Sequence, residues 1–290
     1  MRALCLRPDR PDWAAGLQRT WVPSRAAAER RLAAFLTDAL DRYPIDRDHP
    51  AIPGTSSLSP YLASGQLSAR EAWHAVRTRA IAGQTEPASA DAWLRQLAWR
   101  EFAWHLLAAF PTMRDQPLRP QYAAFPWRDD AEGYHAWTRG ETGYPIVDAG
   151  MRQLWETGWM PNRVRMIAAS FLVKHLLLPW RLGARWFEDT LVDADPACNA
   201  FGWQWVAGSG ADGAPFFRIF NPVTQGERFD PEGTYIARWV PELAPLPPRQ
   251  RHRPWAHSLE DRPQDYPRPL VAHESARARA LAAFHASRRM

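Results

Sequence analysis

Beyond Arg165 the chain turns apolar almost all the way round a helix, from Met166 to Leu178, interrupted by Lys174 and His175. A helix with no polar face has to be wrapped by other elements. The run is too short and too charged to cross a bilayer. It therefore predicts a buried central helix over Pro161–Leu178, with Pro161 in its first turn, inside one large core.

What surrounds that helix is also helical. Ser24 can cap a helix through Leu40, with apolar residues at Ala28, Leu32, Phe35, Leu36 and Leu40. Ser68 and Glu71 form a capping box for a helix ending near Ala82. Asp91–Phe110 is strongly aromatic and helical, and short helices are expected at Ala131–Arg139, Asp148–Thr157, Ala184–Leu191 and Pro196–Val206. Glu274–Arg288 closes the chain as a helix with a basic end. Residues 43–60 and most of 111–145 are loops, and the proline-rich stretch 241–270 is expected to run extended over the surface. No alternating β-branched run and no βαβ rhythm occurs. The fold class is all-α, with an arm over 1–23 and one helical domain over 24–290. Gly208-Ser-Gly-Ala-Asp-Gly213 fits a dinucleotide fingerprint, but it follows a helix where that motif needs a strand, so it reads as a turn.

Composition narrows the function. The chain has 290 residues, 46% hydrophobic and 23% charged, which is ordinary for a soluble globular protein. Its N-terminus has no signal-peptide core, which points to the cytoplasm. Cys5 and Cys198 lie far apart and the nine histidines are scattered, so neither a disulfide nor a metal site is expected. The net charge is +5 and Lys174 is the only lysine. Arginine forks suit phosphate, although a basic balance alone predicts only general anion binding. Sixteen tryptophans exceed what packing asks for. Each alone is core material, yet tryptophan also stacks on bases and passes electrons.

The densest chemistry lies in Asp193-Ala-Asp-Pro-Ala-Cys-Asn-Ala-Phe-Gly-Trp-Gln-Trp205, which sets two carboxylates, an amide and two tryptophans side by side. Five further motifs precede it: Arg47-Asp-His-Pro50, Gly54-Thr-Ser-Ser-Leu-Ser-Pro-Tyr-Leu62, Trp93-Leu-Arg-Gln-Leu-Ala-Trp-Arg-Glu-Phe102, Gly143-Tyr-Pro-Ile-Val-Asp148 and Gly158-Trp-Met-Pro-Asn-Arg-Val-Arg165. Arg218-Ile-Phe-Asn-Pro222 and Thr224-Gln-Gly226 follow it. In order and spacing these resemble the flavin-binding domain of the DNA photolyase and cryptochrome family, over roughly residues 20–290. Family members carry an antenna domain ahead of this one, and the resemblance starts near the linker between them.

The resemblance implies FAD as cofactor and assigns roles. Thr55, Ser56, Ser57, Leu58 and Ser59 would cradle the diphosphate, with Tyr43 and Arg47 nearby. Arg165 and Asp193 would pair beside the flavin ring, Asp195 would accept from a ring N–H, and Asn199 would face flavin N5. Trp93 and Arg100 would also touch the cofactor. Trp203, Trp180 and Trp137 match a relay carrying electrons from the surface to the flavin. Trp93, Gln96, Trp99, Asn162, Arg163, Met166 and Trp205 match positions that hold a flipped pyrimidine dimer, a weakly stacked lesion that is cheap to extrude. Arg128, Arg152, Arg163, Arg218, Arg228 and the terminal arginines are candidate phosphate contacts.

Three positions depart from the family pattern. Ser57 stands where arginine is common, Gln96 where dimer-repairing members have glutamate, and Pro161 where histidine is frequent. The paired histidines of (6-4) repair are absent at Pro161 and Asn162. Asn199 sides with photolyases, since plant cryptochromes have aspartate and animal ones cysteine there. The function implied is light-driven repair of cyclobutane pyrimidine dimers in DNA by a monomer, with any antenna on a separate subunit. The alternatives are a cryptochrome-like photoreceptor without repair and a non-catalytic nucleic-acid-binding module.

Overall fold

The computed structural model describes residues 12–213, 215–216, 218–256 and 263–287; residues 1–11 of the expected arm, Cys5 among them, and Arg288 and Arg289 lie outside them. No strand occurs among the described residues. The elements are α1 (Ala15–Thr20), α2 (Arg25–Asp38), α3 (Tyr43–Asp46), α4 (Ser59–Ala63), α5 (Ala69–Ile81), α6 (Pro87–Ala109), α7 (Ala131–Arg139), α8 (Pro145–Thr157), α9 (Asn162–Ser170), α10 (Trp180–Thr190), α11 (Pro196–Ala207), α12 (Pro222–Phe229), α13 (Thr234–Trp239), α14 (Pro248–Arg251) and α15 (His273–Ser287).

Local chemistry sets the helix starts. Ser24 Oγ accepts from Ala27 N at 3.2 Å and opens α2. The Ser68–Glu71 capping box opens α5, with Glu71 N donating to Ser68 Oγ at 3.1 Å and Ser68 N to Glu71 Oε2 at 2.9 Å. Helices α6, α8, α11 and α12 all begin on proline, whose missing N–H is free of cost at a first helical position. That is why α6 starts at Pro87, ahead of Asp91. Helices α12 and α13 were not expected from the sequence; the α12 cap is Asn221, whose side chain accepts from Val223 N at 3.0 Å.

The expected single helix over Pro161–Leu178 is two pieces. Pro161 stands outside α9 as its extended N-cap, and after Ser170 the backbone widens into a π turn, Phe171–His175. The wider turn sends both polar side chains inward. Lys174 Nζ sits 3.2 Å from the Phe216 ring centre, and His175 Nε2 lies 2.9 Å from His273 Nδ1. The stretch 241–270 is not simply extended either: it forms α14 and 3-10 turns at Pro241–Leu243 and Pro254–Ala256. Arg251 ties them down by donating to the carbonyls of Leu246 at 2.9 Å and Ala244 at 2.9 Å. Gly208 ends α11 in the left-handed conformation, so the glycine-rich segment is a turn.

Two large apolar clusters make most of the interior, beside a small third one of Phe125, Leu177, Phe216 and Ala280. One joins α2, α3, α5 and α6 around Phe35, Leu58, Trp93 and Leu97; the larger joins α8–α11 and α13 around Met160, Ile167, Phe171, Trp180 and Trp203. Trp21, ahead of α2, packs on the first of these and bridges to the end of α8, where its Nε1 donates to Thr157 O at 2.7 Å. Fully buried Asp148 ties the turn ahead of α8 to the segment ahead of α15. It accepts from Thr142 N at 2.8 Å, Gly143 N at 3.0 Å and Tyr266 Oη at 2.5 Å. The seam between the two clusters is where the site lies.

Candidate active site

A cavity of about 320 Å³ opens along that seam, walled by α6 on one side and by α9 and the α10–α11 loop on the other. A second, of about 180 Å³, continues inward. Asn162, Arg165, Asp193, Asp195 and Cys198 line both, so the two are lobes of one cleft.

The outer lobe carries a turn built for an anion. Thr55, Ser56, Ser57, Leu58 and Ser59 all line it, with Tyr43 and Arg47. Ser57 holds a left-handed backbone, φ 48°, unusual for a residue with a Cβ. Alternating handedness turns successive N–H groups toward one point and makes an anion nest. Trp159 Nε1 donates to Ser59 Oγ at 3.2 Å and steadies the turn from across the cleft. Arg47 lies over the Tyr43 ring at 5.1 Å and donates to Gln96 Oε1 at 3.1 Å. Gln96 Nε2 donates to Ala92 O at 3.1 Å, so the amide is held at both ends.

At the junction of the lobes stands an ion pair. Arg165 forks onto Asp193, with Nη1 to Oδ1 at 3.1 Å and Nη2 to Oδ2 at 2.8 Å. Its Nε is spent on Met160 O at 2.8 Å. The Asp193 side chain is 3% exposed, so this fork is what makes its charge tolerable. Asp195 caps α11: Oδ1 accepts from Ala197 N at 3.1 Å and Cys198 N at 2.9 Å. Its Oδ2 accepts from Trp104 Nε1 at 3.0 Å and lies 3.6 Å from Arg100 Nη2, with a lone pair still available.

The inner lobe is largely apolar. Asn199 Nδ2 donates to Ala184 O at 2.8 Å, which leaves Oδ1 as its free end. A Cβ at Gly202 would meet nothing within 4 Å, so a planar group can lie against that backbone. Behind it Trp203 packs so closely on α10 that a Cβ at Gly183 would overlap its ring. Burial, reinforced by Asp195, pushes the Cys198 thiol up to about 12, so it lines the cleft as a neutral thiol.

The cleft thus collects Tyr43, Arg47, Thr55, Ser56, Ser57, Leu58, Ser59, Trp93, Gln96, Arg100, Asn162, Arg165, Met166, Asp193, Asp195, Asn199 and Trp203. Three residues expected in the lesion pocket are not among its lining. Trp99 is 40% exposed and stacks on Phe201 with ring centres 6.0 Å apart. Trp205 packs on the larger cluster. Arg163 is taken by Asp48 at 2.6 Å. Arg152 is a structural tie, bonded to Glu242 at 2.7 Å and Gly140 O at 3.0 Å.

Trp137 also needs correction. It is 0% exposed, with Nε1 bonded to Ala168 O at 3.0 Å, so it cannot be the surface end of a relay. Two half-buried or exposed tryptophans lie nearer that description. Trp127 packs on the small cluster containing Leu177, three residues before Trp180. Trp155, 54% exposed, stacks on Trp186 at 6.1 Å, and the next residue, Phe187, touches Trp203 at 5.0 Å. Trp159, Trp104, Gly202 and Cys198 were not singled out from the sequence either. Trp159 and Cys198 stand inside motifs already noted, but their side-chain directions depend on packing.

Comparison with known proteins agrees with this geometry. The family described as the FAD binding domain of DNA photolyase matches residues 93–286. The deoxyribodipyrimidine photo-lyase of Agrobacterium fabrum is 50% identical over 288 residues, covering 97% of this chain and 60% of that protein. The crystal structure of a class III photolyase from Agrobacterium tumefaciens superposes with a TM-score of 0.96 at 48% identity, over 100% of this chain and 61% of that one. A Synechocystis cryptochrome structure gives 0.84 at 34% identity, over 90% of this chain and 56% of that one. This chain therefore spans about 60% of the length of the first of these relatives. An anion nest, a buried fork and a largely apolar inner wall along one seam fit a flavin dinucleotide, and the chain belongs to the FAD-binding domain family of DNA photolyases.

Proposed function

We propose that the protein repairs cyclobutane pyrimidine dimers in DNA under light, with FAD in the cleft. The observation that carries this reading is the placement of three features along one cavity: the Ser57 nest, the Arg165–Asp193 fork and the free Oδ1 of Asn199. Their order matches a diphosphate followed by a ring system. The chemistry that FAD supplies there when bound is an electron, lent to the dimer under light and returned after the ring opens.

The residues do the holding. Thr55–Ser59 and Arg47 bind the diphosphate, and Asp193 and Asp195 present acceptors to the polar edge of the ring. Asn199 Oδ1 accepts a proton-bearing nitrogen and so favours a reduced cofactor. Trp93, Gln96, Asn162 and Met166 receive the extruded dimer, and the Trp99–Phe201–Phe102 group offers stacking surface beside them. Electrons reach Trp203 through Trp180 from Trp127, and by a second route through Trp186 from Trp155. No helix among the described residues is long and apolar enough to cross a membrane, and a cytoplasmic monomer fits the reading.

The test is recovery of thymine absorbance when reduced protein is illuminated with an oligothymidylate containing cyclobutane dimers. Recovery in light and not in darkness is expected. One observation favours a second reading, a photoreceptor without repair: Arg47 occupies Gln96 Oε1, the acceptor a lesion would need. Flavin photoreduction without absorbance recovery would select it.

A further inference from the structure

Asp48 is a carboxylate in the wrong place for a cleft that receives a polyanion. It follows Arg47, as Arg163 follows Asn162, and both of those neighbours line the cleft. Asp48 and Arg163 themselves stay accessible, with side chains 29% and 20% exposed. Left free there, a carboxylate would repel DNA phosphate. Its position is nevertheless well defined. Asp48 Oδ2 lies 2.6 Å from Arg163 Nη2, and Oδ1 lies 4.0 Å from Arg47 Nε. The next residue, His49, places Nδ1 3.2 Å from Phe229 O. The Arg163 guanidinium lies 4.3 Å over the Phe229 ring, and its Nε is buried with no partner among the described residues. So one arginine is held by a carboxylate on one edge and an aromatic face below.

We propose that Asp48 is a positioning residue that sets specificity, tethering Arg163 at the inner edge of the cleft and withholding it from passing phosphate. The inference rests on the DNA-repair reading. Undamaged DNA binds by phosphate contacts alone, each adding about 0.9 to the slope of log K against log salt. A tethered Arg163 contributes little to that mode. A strand that has placed a dimer in the cleft brings its backbone to Arg163 where Asp48 holds it, and gains the contact in full. Tethering therefore lowers affinity for undamaged DNA more than for damaged DNA.

The experiment measures binding of FAD-loaded protein to a labelled duplex, with and without one thymine dimer, by anisotropy between 50 and 200 mM KCl, taken as a range of roughly fourfold in salt. For Asp48→Asn, binding to the undamaged duplex should tighten by roughly tenfold at the low-salt end, with a slope steeper by about one. Preference for the dimer duplex should fall. Asp48→Glu should behave as wild type, and Asp48→Asn/Arg163→Met should lose the gain. Asp48→Ser carries the same expectation as Asn and guards against a folding defect peculiar to the amide. Damage to the fold would weaken binding, and loss of the carboxylate's repulsion alone would leave the gain intact in Asp48→Asn/Arg163→Met, so a gain that survives in the double variant overturns the inference. Unchanged or weaker binding of undamaged DNA by both the Asn and Ser variants overturns the inference. A wild-type protein without preference for the dimer overturns the repair reading as well.

Discussion

Asn199 donates its side-chain N–H to the carbonyl of Ala184 at 2.8 Å, and that bond decides which end of the amide the cleft sees. Nδ2 is committed to α10, so Oδ1 is free to accept. An aspartate at 199 cannot donate to Ala184. Its carboxylate would face a carbonyl oxygen and place negative charge beside the ring, where reduction adds electrons. Asn199→Asp should lower the two-electron midpoint potential of bound FAD on the order of 30 mV or more, about 1.4 kcal/mol. Spectroelectrochemical titration measures it, and an unchanged potential would remove Asn199 from the ring's edge.

The tryptophans give a prediction with an internal control. Trp203→Phe should slow photoreduction strongly and spare repair by chemically reduced protein. Trp137→Phe should cost stability, because it removes a buried hydrogen bond and leaves a void where the indole packed, while leaving photoreduction nearly as fast as in wild type. Trp127→Phe and Trp155→Phe should each slow photoreduction partly, and together more than either alone. Transient absorption after a blue flash reads all four. Loss of photoreduction in Trp137→Phe would restore Trp137 to the relay.

Much of this was legible because it was local. Ser24, Ser68 and Glu71 announce their helices by chemistry that needs no tertiary context. Arg165 and Asp193 belong to separate motifs; their pairing was expected from the family resemblance, and the burial of Asp193 supplies its physical reason. The π turn at Phe171–His175 was not, because a helical pattern looks the same until the extra residue is placed. Trp137 failed for a related reason. The family resemblance put it in the relay, and only packing shows that α8, α9 and α10 close over it. Arg163 was expected to face the lesion; its direction is set by Asp48, more than a hundred positions away.

The Arg165–Asp193 fork should behave as a unit. Arg165→Met alone leaves Asp193 buried without its counter-charge and should cost about 3–5 kcal/mol in urea unfolding. Replacing both, as Arg165→Met/Asp193→Leu, should recover much of that loss, since an apolar pair of similar volume removes the stranded charge. FAD retention should be lost in both variants. A double variant less stable than the single one would mean that the fork stabilises the apoprotein beyond compensating its own burial.

Asp148 and His175 should pull stability in opposite directions across mildly acidic pH. Burial raises the Asp148 carboxyl to about 6, even against its bonds to Thr142 and Tyr266. Folded protein thus holds that proton more tightly than unfolded chain, whose carboxyl titrates near 3.9, about its ordinary value. Its contribution is full below about pH 4 and is lost as pH rises through about 6. His175 is the reverse: burial, with His273 and Arg279 adding to it, lowers the imidazole to about 3. Staying neutral stabilises the fold above about pH 6.5, and that contribution is lost as pH falls toward 3. Between pH 4 and 6 the two slopes oppose in the wild type. Asp148→Asn should therefore gain stability with rising pH more steeply than wild type, and His175→Phe should gain less or decline. Each tenfold difference in proton affinity is worth about 1.4 kcal/mol, well within the resolution of urea midpoints at pH 4, 5, 6 and 7. Parallel profiles for wild type and both variants would show that neither group changes its proton affinity on folding.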